Sequence, residues 1–434
     1  MPRFALALDR PRILFRHRTR RTLRTAMVVG AAVTAGVVAV VFAKLCDAAM
    51  TAHTALIGHS VWIGPVLLLV GFPLVVWLTG LLAPASAGSG IPQVIAASEG
   101  RGDRRAADTR ISLKTAAWKI VLACLFLVFG ASIGREGPTV QVAAAVIAFM
   151  TMRLRGGPGR HTLLIAGGAA GVAAAFNAPI AGIVFAVDEL AKGFDKRTNT
   201  VVILTVLAAG VAAFALAGNY AYFGEMSGQA SWSSWFSAPL IGIAAGLAGG
   251  VFSRLMIAIL AGRNPVNRFK SARPVTFAGL CGAVAALTAL LSGGVAYGAG
   301  YEEAKSLLLG HFASGWRLAL GKWMATLAAA VSGAPGGIFA PSLATGAGLG
   351  ALFAHLAPWA VGRDAVTLGM AAYLAGVVQA PLTSAVILME MTRDPGLVGP
   401  LLLATLIARR CAEVIAPEPI YHALARGWAA SATA

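Results

Sequence analysis

Apolar tracts recur along the whole chain, and their uneven lengths carry as much information as their number. Thr25 to Lys44 and Trp62 to Leu82 are each long enough to cross a bilayer, which takes about 20 residues. The runs after Pro138 and Pro341 are short, whereas His161 to Val187 is long. Such a mixture predicts tilted, broken and re-entrant helices in an all-α polytopic membrane protein, not a soluble domain with an anchor. One acidic residue interrupts the apolar stretch between Trp118 and Met150. It is Glu136, in the segment Gly134-Arg135-Glu136-Gly137-Pro138. A carboxylate at membrane depth is costly unless it is paired or wet, so it points to function, and its Gly-Pro frame excludes a plain helix interior.

The same pattern returns about 200 residues later. Gly130 to Thr139 aligns with Gly333 to Ser342, Asn177-Ala178-Pro179-Ile180 aligns with Gln379-Ala380-Pro381-Leu382, and Asp188 falls on Glu390. Gly and Pro are common in membrane helices, which accounts for one such match; two at nearly one offset argue for a duplicated unit. Whether the repeat is parallel or inverted depends on the number of spans in each half. The resulting organisation is a basic arm over residues 1–24, a first membrane half over 25–223, a polar aromatic connector over 224–235, a second half over 236–421 and a tail over 422–434. The basic stretch Arg263 to Arg273 separates two spans of the second half.

Composition agrees with the pattern. The 434 residues are 58% apolar and 12% charged, with a mean hydropathy of +0.77, where a soluble globular protein is about 25% charged. Net charge is +18. Much of it is local: eight arginines between Arg3 and Arg24 precede the first span, which places that end in the cytoplasm. A membrane-flanking basic cluster is far commoner than a nucleic-acid site in such a setting. The first apolar run is too long for a secretory signal. Arg101, Arg104, Arg105 and Arg110 form a second basic loop. Cys46, Cys124, Cys281 and Cys411 are widely spaced and the seven histidines do not cluster, so neither a metal site, a cofactor nor a disulfide framework is expected.

Glycines let backbone amides approach a ligand, and proline is tolerated in the first turn of a helix. A helix that begins inside the membrane turns free N–H groups and its positive end toward the centre, which makes an anion site without a full fixed charge. Gly134 to Pro138 and Gly337-Ile338-Phe339-Ala340-Pro341 have this form. A third frame, Gly88-Ser89-Gly90-Ile91-Pro92, adds a hydroxyl. Tight helix packing through small residues is the alternative for any one frame; three frames together with the repeat favour an anion site.

These three pentapeptides, in this order and spacing, resemble the signature segments of the CLC chloride channel and transporter family, in its prokaryotic type. Phe176-Asn177-Ala178-Pro179 and Tyr421 fit too. The resemblance spans nearly the whole transmembrane region. It implies a homodimer with one pore per subunit, each built from two inverted-topology halves, and the short stretch after Tyr421 leaves the expectation of no cytosolic regulatory domain. It also implies roles. Ser89 and Tyr421 hydroxyls and the amides of Ile338 and Phe339 would bind chloride, and Glu136 would be the external gating glutamate. Gly88, Gly90, Pro92, Gly134, Arg135, Gly137, Pro138, Gly337 and Pro341 would shape the frames. Lys119 matches a family lysine as an accessory residue, with a snorkelling interface lysine as the alternative. Glu189 aligns with the internal proton-transfer glutamate of the exchangers, where passive channels carry an apolar residue; the alternative is that Asp188 and Glu189 merely end a helix at the interface. Gln93 stands where some bacterial relatives are acidic. Glu390 reads as structural, and Trp232 and Trp235 as interface-belt residues.

The favoured function is therefore a Cl⁻/H⁺ antiporter of a bacterial inner membrane. A passive chloride channel of the same fold is the alternative. A membrane-embedded enzyme using Glu136 stands further off, since no His/Asp/Ser or metal set accompanies that residue. Chloride and protons are the expected substrates and the bilayer the expected partner, with no nucleic acid.

Overall fold

The computed structural model describes residues 5–100, 104–152, 157–190, 196–218, 222–225, 231–262, 264–311 and 315–430, with side chains left undescribed at 5–21, 196–199 and 429–430. The side chains of Arg3 to Arg21, together with Arg101, Arg263 and residues 226–230 and 431–434, therefore lie outside the described residues. Nineteen α-helices and no strand form among the described residues. Six helices are long and apolar enough to cross a membrane: Thr22–Ile57, Ile63–Leu82, Thr200–Ala217, Trp232–Ala261, Pro274–Leu291 and Phe339–Leu356. Their outer faces keep Val66, Leu69, Trp77, Leu240 and Leu287 exposed, as a lipid-facing surface requires.

The first helix does not stop at Lys44. It runs from Ala5 to Ile57, past Asp47 and His53. Both polar residues are accommodated by partners on other segments: Asp47 by Arg135 at 2.6 Å, and the His53 ring Nδ1 by the Val128 carbonyl at 3.0 Å. The second basic loop is also more ordered than its composition suggests. Arg104–Arg110 is a helix, and Arg110 is buried with its guanidinium donating to the Trp428 carbonyl. Pro265–Ala272 is another short helix, opened by the Asn264 side chain accepting from the Asn267 amide.

Helices of the first half have counterparts in the second, in the same order. Ile63–Leu82 matches Pro274–Leu291, Ile91–Ser98 matches Tyr301–Leu308, and Leu113–Val128 matches Gly315–Ser332. Glu136–Thr151 matches Phe339–Leu356, Arg160–Phe176 matches Gly362–Val378, and Pro179–Phe185 matches Pro381–Thr392. The long apolar run from His161 is broken as expected. Asn177 and Gln379 take the same left-handed conformation (φ 55° and 61°), each ending a helix, and Pro179 and Pro381 open the next.

Two sets of reciprocal contacts relate the halves by a two-fold. Gly134 and Gly337, themselves repeat mates, pair in antiparallel fashion through two N–H···O=C bonds of 2.8 Å. The second set is made by carboxylates on backbone amides. Asp188 Oδ2 accepts from the Thr383 amide at 3.1 Å, at the start of Pro381–Thr392. Its mate Glu390 accepts from the amides of Ile180 and Ala181 at 3.1 and 2.6 Å, at the start of Pro179–Phe185. Each acid thus caps the other half's helix, satisfying orphan N–H groups and complementing the positive helix end. This arrangement accounts for Glu390 as a structural residue. Close approach of small residues supplies the remaining packing: a Cβ on Gly346 would lie 2.3 Å from the Gly369 carbonyl oxygen.

Candidate functional site

All three Gly-Pro frames open helices whose N-termini have no side-chain cap: Ile91–Ser98, Glu136–Thr151 and Phe339–Leu356. The backbone ties them together. Gly88 N donates to Ala334 O and Gly336 N donates to Gly88 O, both at 3.1 Å, while the Gly134–Gly337 pair joins the second frame to the third. Glycine is obligatory at the junctions. A Cβ on Gly137 would lie 2.5 Å from Ser89 Oγ, and one on Gly134 would lie 2.3 Å from Glu136 Oε2. Gly90 sits at φ 102°, a conformation that other residues resist. The sequence's Gln93 serves the same frame by donating to Ala87 O at 2.6 Å.

Glu136 is fully buried. Its Oε2 accepts from the Ala340 amide at 3.4 Å, so the carboxylate of the second frame leans on the uncapped helix end of the third. Its Oε1 accepts from the Tyr301 hydroxyl at 2.5 Å. Ser89 and Tyr421 are both buried and adjacent, their hydroxyls facing each other with no other hydrogen-bond partner among the described residues. Two neighbouring orphan donors in an apolar interior call for a shared acceptor. The Phe339 ring stacks on Tyr421 at a centroid distance of 6.1 Å and is flanked by Phe176 and Phe185. Ile338 and Phe339, at the start of their helix, are buried beside it.

Cavities reach this cluster from two sides. One, of about 550 Å³, is lined by Arg135, Tyr222, Tyr301, Glu302 and Glu303 together with Asp47. The other, of about 260 Å³, reaches Gly88, Ser89 and Pro92 and carries Lys270. Burial pushes the Lys270 ammonium down to about 8, so it is cationic below that pH and marks this cavity as attractive to anions. At the first cavity Arg135 is buried and donates to Ala43 O, Asp47 and the Tyr222 hydroxyl.

Lys119 is not a snorkelling residue. It is fully buried and donates to Ser86 O and Gly88 O at 2.9 and 2.7 Å, holding the serine frame from behind. Glu189 does not sit on an exposed helix end either. It is 2% exposed on a π-turn, Ala186–Leu190, where the His422 ring approaches its carboxylate to 3.8 Å. Tyr421 lies within electrostatic reach of both Glu189 and Glu136. Trp232 and Trp235 are exposed on the Trp232–Ala261 helix, which begins inside the stretch read as a connector. The widely spaced Cys46 and Cys124 meet at 3.9 Å as free thiols.

Sequence reasoning missed Tyr301, Lys322 and His422. Lys322 was within reach, since it stands 203 residues after Lys119, the repeat offset. It too is fully buried and clamps three carbonyls, those of Ala296, Tyr297 and Gly298. The loop it holds leads through Gly300 (φ 85°) into Tyr301–Leu308, as the Lys119-held loop leads through Gly90 into Ile91–Ser98. The four-glycine spacing there had no proline to mark it.

Known proteins resemble this chain in sequence and in fold. The family description "Voltage gated chloride channel" matches residues 71–413. The H(+)/Cl(-) exchange transporter ClcA of Yersinia pestis bv. Antiqua (strain Angola) is 33% identical over 377 residues, 80% of this chain and 74% of that protein. ClcA of Cronobacter sakazakii is 31% identical over 90% of this chain and 87% of its own length. Among solved structures, a slow cyanobacterial Cl-/H+ antiporter superposes with a TM-score of 0.80 at 23% identity, covering 95% of this chain and 99% of its own. A CLC-type fluoride/proton antiporter does so at 0.77 and 20%, covering 93% and 98%.

Proposed function

The chain belongs to the voltage-gated chloride channel family, and from that premise we propose that it exchanges chloride for protons across the membrane. The observation that carries this reading is the Glu136 carboxylate, lodged against the uncapped Phe339–Leu356 helix end within electrostatic reach of Tyr421, whose hydroxyl and that of Ser89 have no acceptor besides each other among the described residues. A carboxylate and a halide compete for the same donors, and a proton removes the competitor. Ser89 and Tyr421 hydroxyls, with the Ile338 and Phe339 amides, bind the central chloride; Glu136 gates it from the cavity that Arg135 lines. That cavity is assigned to the outer side because its lining from Cys46 to Thr54 lies at the end of the first helix away from the basic arm, and the Lys270 cavity is assigned to the cytoplasmic side. Glu189 takes protons from the cytoplasmic side, and Tyr421 is within electrostatic reach of both it and Glu136. Both ClcA relatives are named as exchangers, which favours this reading over a passive channel. The protein works as a homodimer in a bacterial inner membrane, each subunit with its own path.

The test is purified protein in liposomes under a chloride gradient, with chloride and pH recorded together. Chloride efflux should drive proton uptake against a proton gradient. Chloride efflux with no uphill proton movement makes the protein a channel instead.

A further inference from the structure

In the carboxylate's surroundings one contact has no part in the reading above: the Tyr301 hydroxyl on Glu136 Oε1. Tyr301 opens its helix at the outer cavity, so it approaches the gate from the side opposite Ser89 and Tyr421. Its placement is fixed at every point. Lys322 clamps the preceding loop through three carbonyls, and Gly298 N donates to Gly130 O at 3.2 Å. Gly300 leaves no room for a side chain, since a Cβ there would lie 2.6 Å from Ala344 and 2.7 Å from the Lys322 stem. The ring rests on Tyr222 at a centroid distance of 4.4 Å, and Arg135 holds the Tyr222 hydroxyl at 3.0 Å.

We propose that Tyr301 is a latch on the gate: its hydroxyl holds the Glu136 carboxylate in the anion-blocking position and so sets the pH at which chloride passes. The inference rests on Glu136 being the gate, and it makes Tyr301 a positioning residue. Tyrosine donates a charge-assisted bond to the ionised carboxylate, which is stronger than any bond it makes to the neutral acid. The latch therefore favours the charged, docked form, and losing it makes opening by protonation easier. Other groups around Glu136 are Cys46 on the first helix, Arg135 at its own N-cap with Asp47 against it, Tyr222, and Tyr421 from the opposite side, with Glu302 and Glu303 further out in the cavity. None of these other side chains donates a hydrogen bond to the Glu136 carboxylate among the described residues, so the Tyr301 hydroxyl can be removed without touching a second side-chain donor.

The experiment is initial chloride efflux from phosphatidylethanolamine/phosphatidylglycerol liposomes over a pH series, for wild type and Tyr301→Phe, each also in a Glu136→Gln background. A lost hydrogen bond to a charged group corresponds to a displacement of about one pH unit toward higher pH, or about tenfold in rate on the shoulder of the profile. In the Glu136→Gln background the same substitution should change efflux by less than about twofold, because no carboxylate remains to be latched. Tyr301→Leu accompanies it, so that a folding failure of one donor-less variant leaves the other to compare with wild type. Leucine should follow phenylalanine. An unmoved profile in the donor-less variants overturns the latch, as does an equal change in both backgrounds. Chloride flux without protons in the wild type overturns only the exchanger reading, since the latch is read from chloride alone.

Discussion

At the scale of single residues, Glu136 is the point where charge, burial and backbone geometry meet. Glycine at 134 makes room for the docked carboxylate, whose oxygen lies where a methyl would sit. Replacing Glu136 by Gln keeps the shape and removes both the charge and the exchangeable proton. The expected outcome is chloride flux that persists with proton movement abolished, read by simultaneous chloride-electrode and pH recording. Proton pumping at the wild-type rate would remove Glu136 from the gate. The glutamate, its frame and the Ser89 hydroxyl were legible in the sequence, because a polar residue inside an apolar tract stands out and glycine and proline punctuate it. Tyr301 was not legible. A tyrosine near the end of an apolar run reads as ordinary interface packing, and only the fold brings it 165 residues back to Glu136. His422 was hidden for the same reason.

Among elements, the two reciprocal caps show how a duplicated chain closes on itself. Asp188 and Glu390 looked like helix-end acids in the sequence, and the repeat offset related them to each other without revealing that each serves the other's half. Their partners are backbone amides, which carry no sequence signal. Glu390→Ala leaves the Ile180 and Ala181 amides without their acceptor. Loss of such a cap costs about 1–2 kcal/mol. A lowered unfolding midpoint in detergent is expected, with chloride binding to the folded protein intact; an unchanged midpoint would show that water replaces the carboxylate at no cost. The buried lysines follow the same logic. Lys119 and Lys322 each gather the carbonyls of a loop that precedes an eight-residue helix, and an ammonium deep in the protein is tolerable only with such acceptors. The first span was ended at Lys44 in the sequence reading, and the helix runs on past Asp47, whose carboxylate pairs with buried Arg135.

For the whole molecule, the coupling of two ions depends on residues that no single frame contains. Glu189 is buried with His422 and lies within electrostatic reach of Tyr421, as Glu136 does. Glu189→Val should break the inner part of the proton path while chloride flux continues, seen as efflux that no longer acidifies or alkalinises the lumen. Retained coupling would make the residue an ordinary buried acid and send the proton route elsewhere. The two cavities have a further consequence, one of electrostatics across the bilayer. Water entering the 550 Å³ and 260 Å³ cavities carries the bulk potential inward on both faces. Wetted in this way, the cavities would confine the membrane voltage mainly to the stretch between Tyr301 and Ser89, not the full thickness of hydrocarbon. A whole charge crossing the full drop exchanges about 2.3 kcal/mol per 100 mV. A proton reaching Glu136 from the outer cavity would sample only a small fraction of that, so protonation of the gate should depend weakly on voltage. On the proposed path, the passage of chloride through that stretch would carry most of the electrical work.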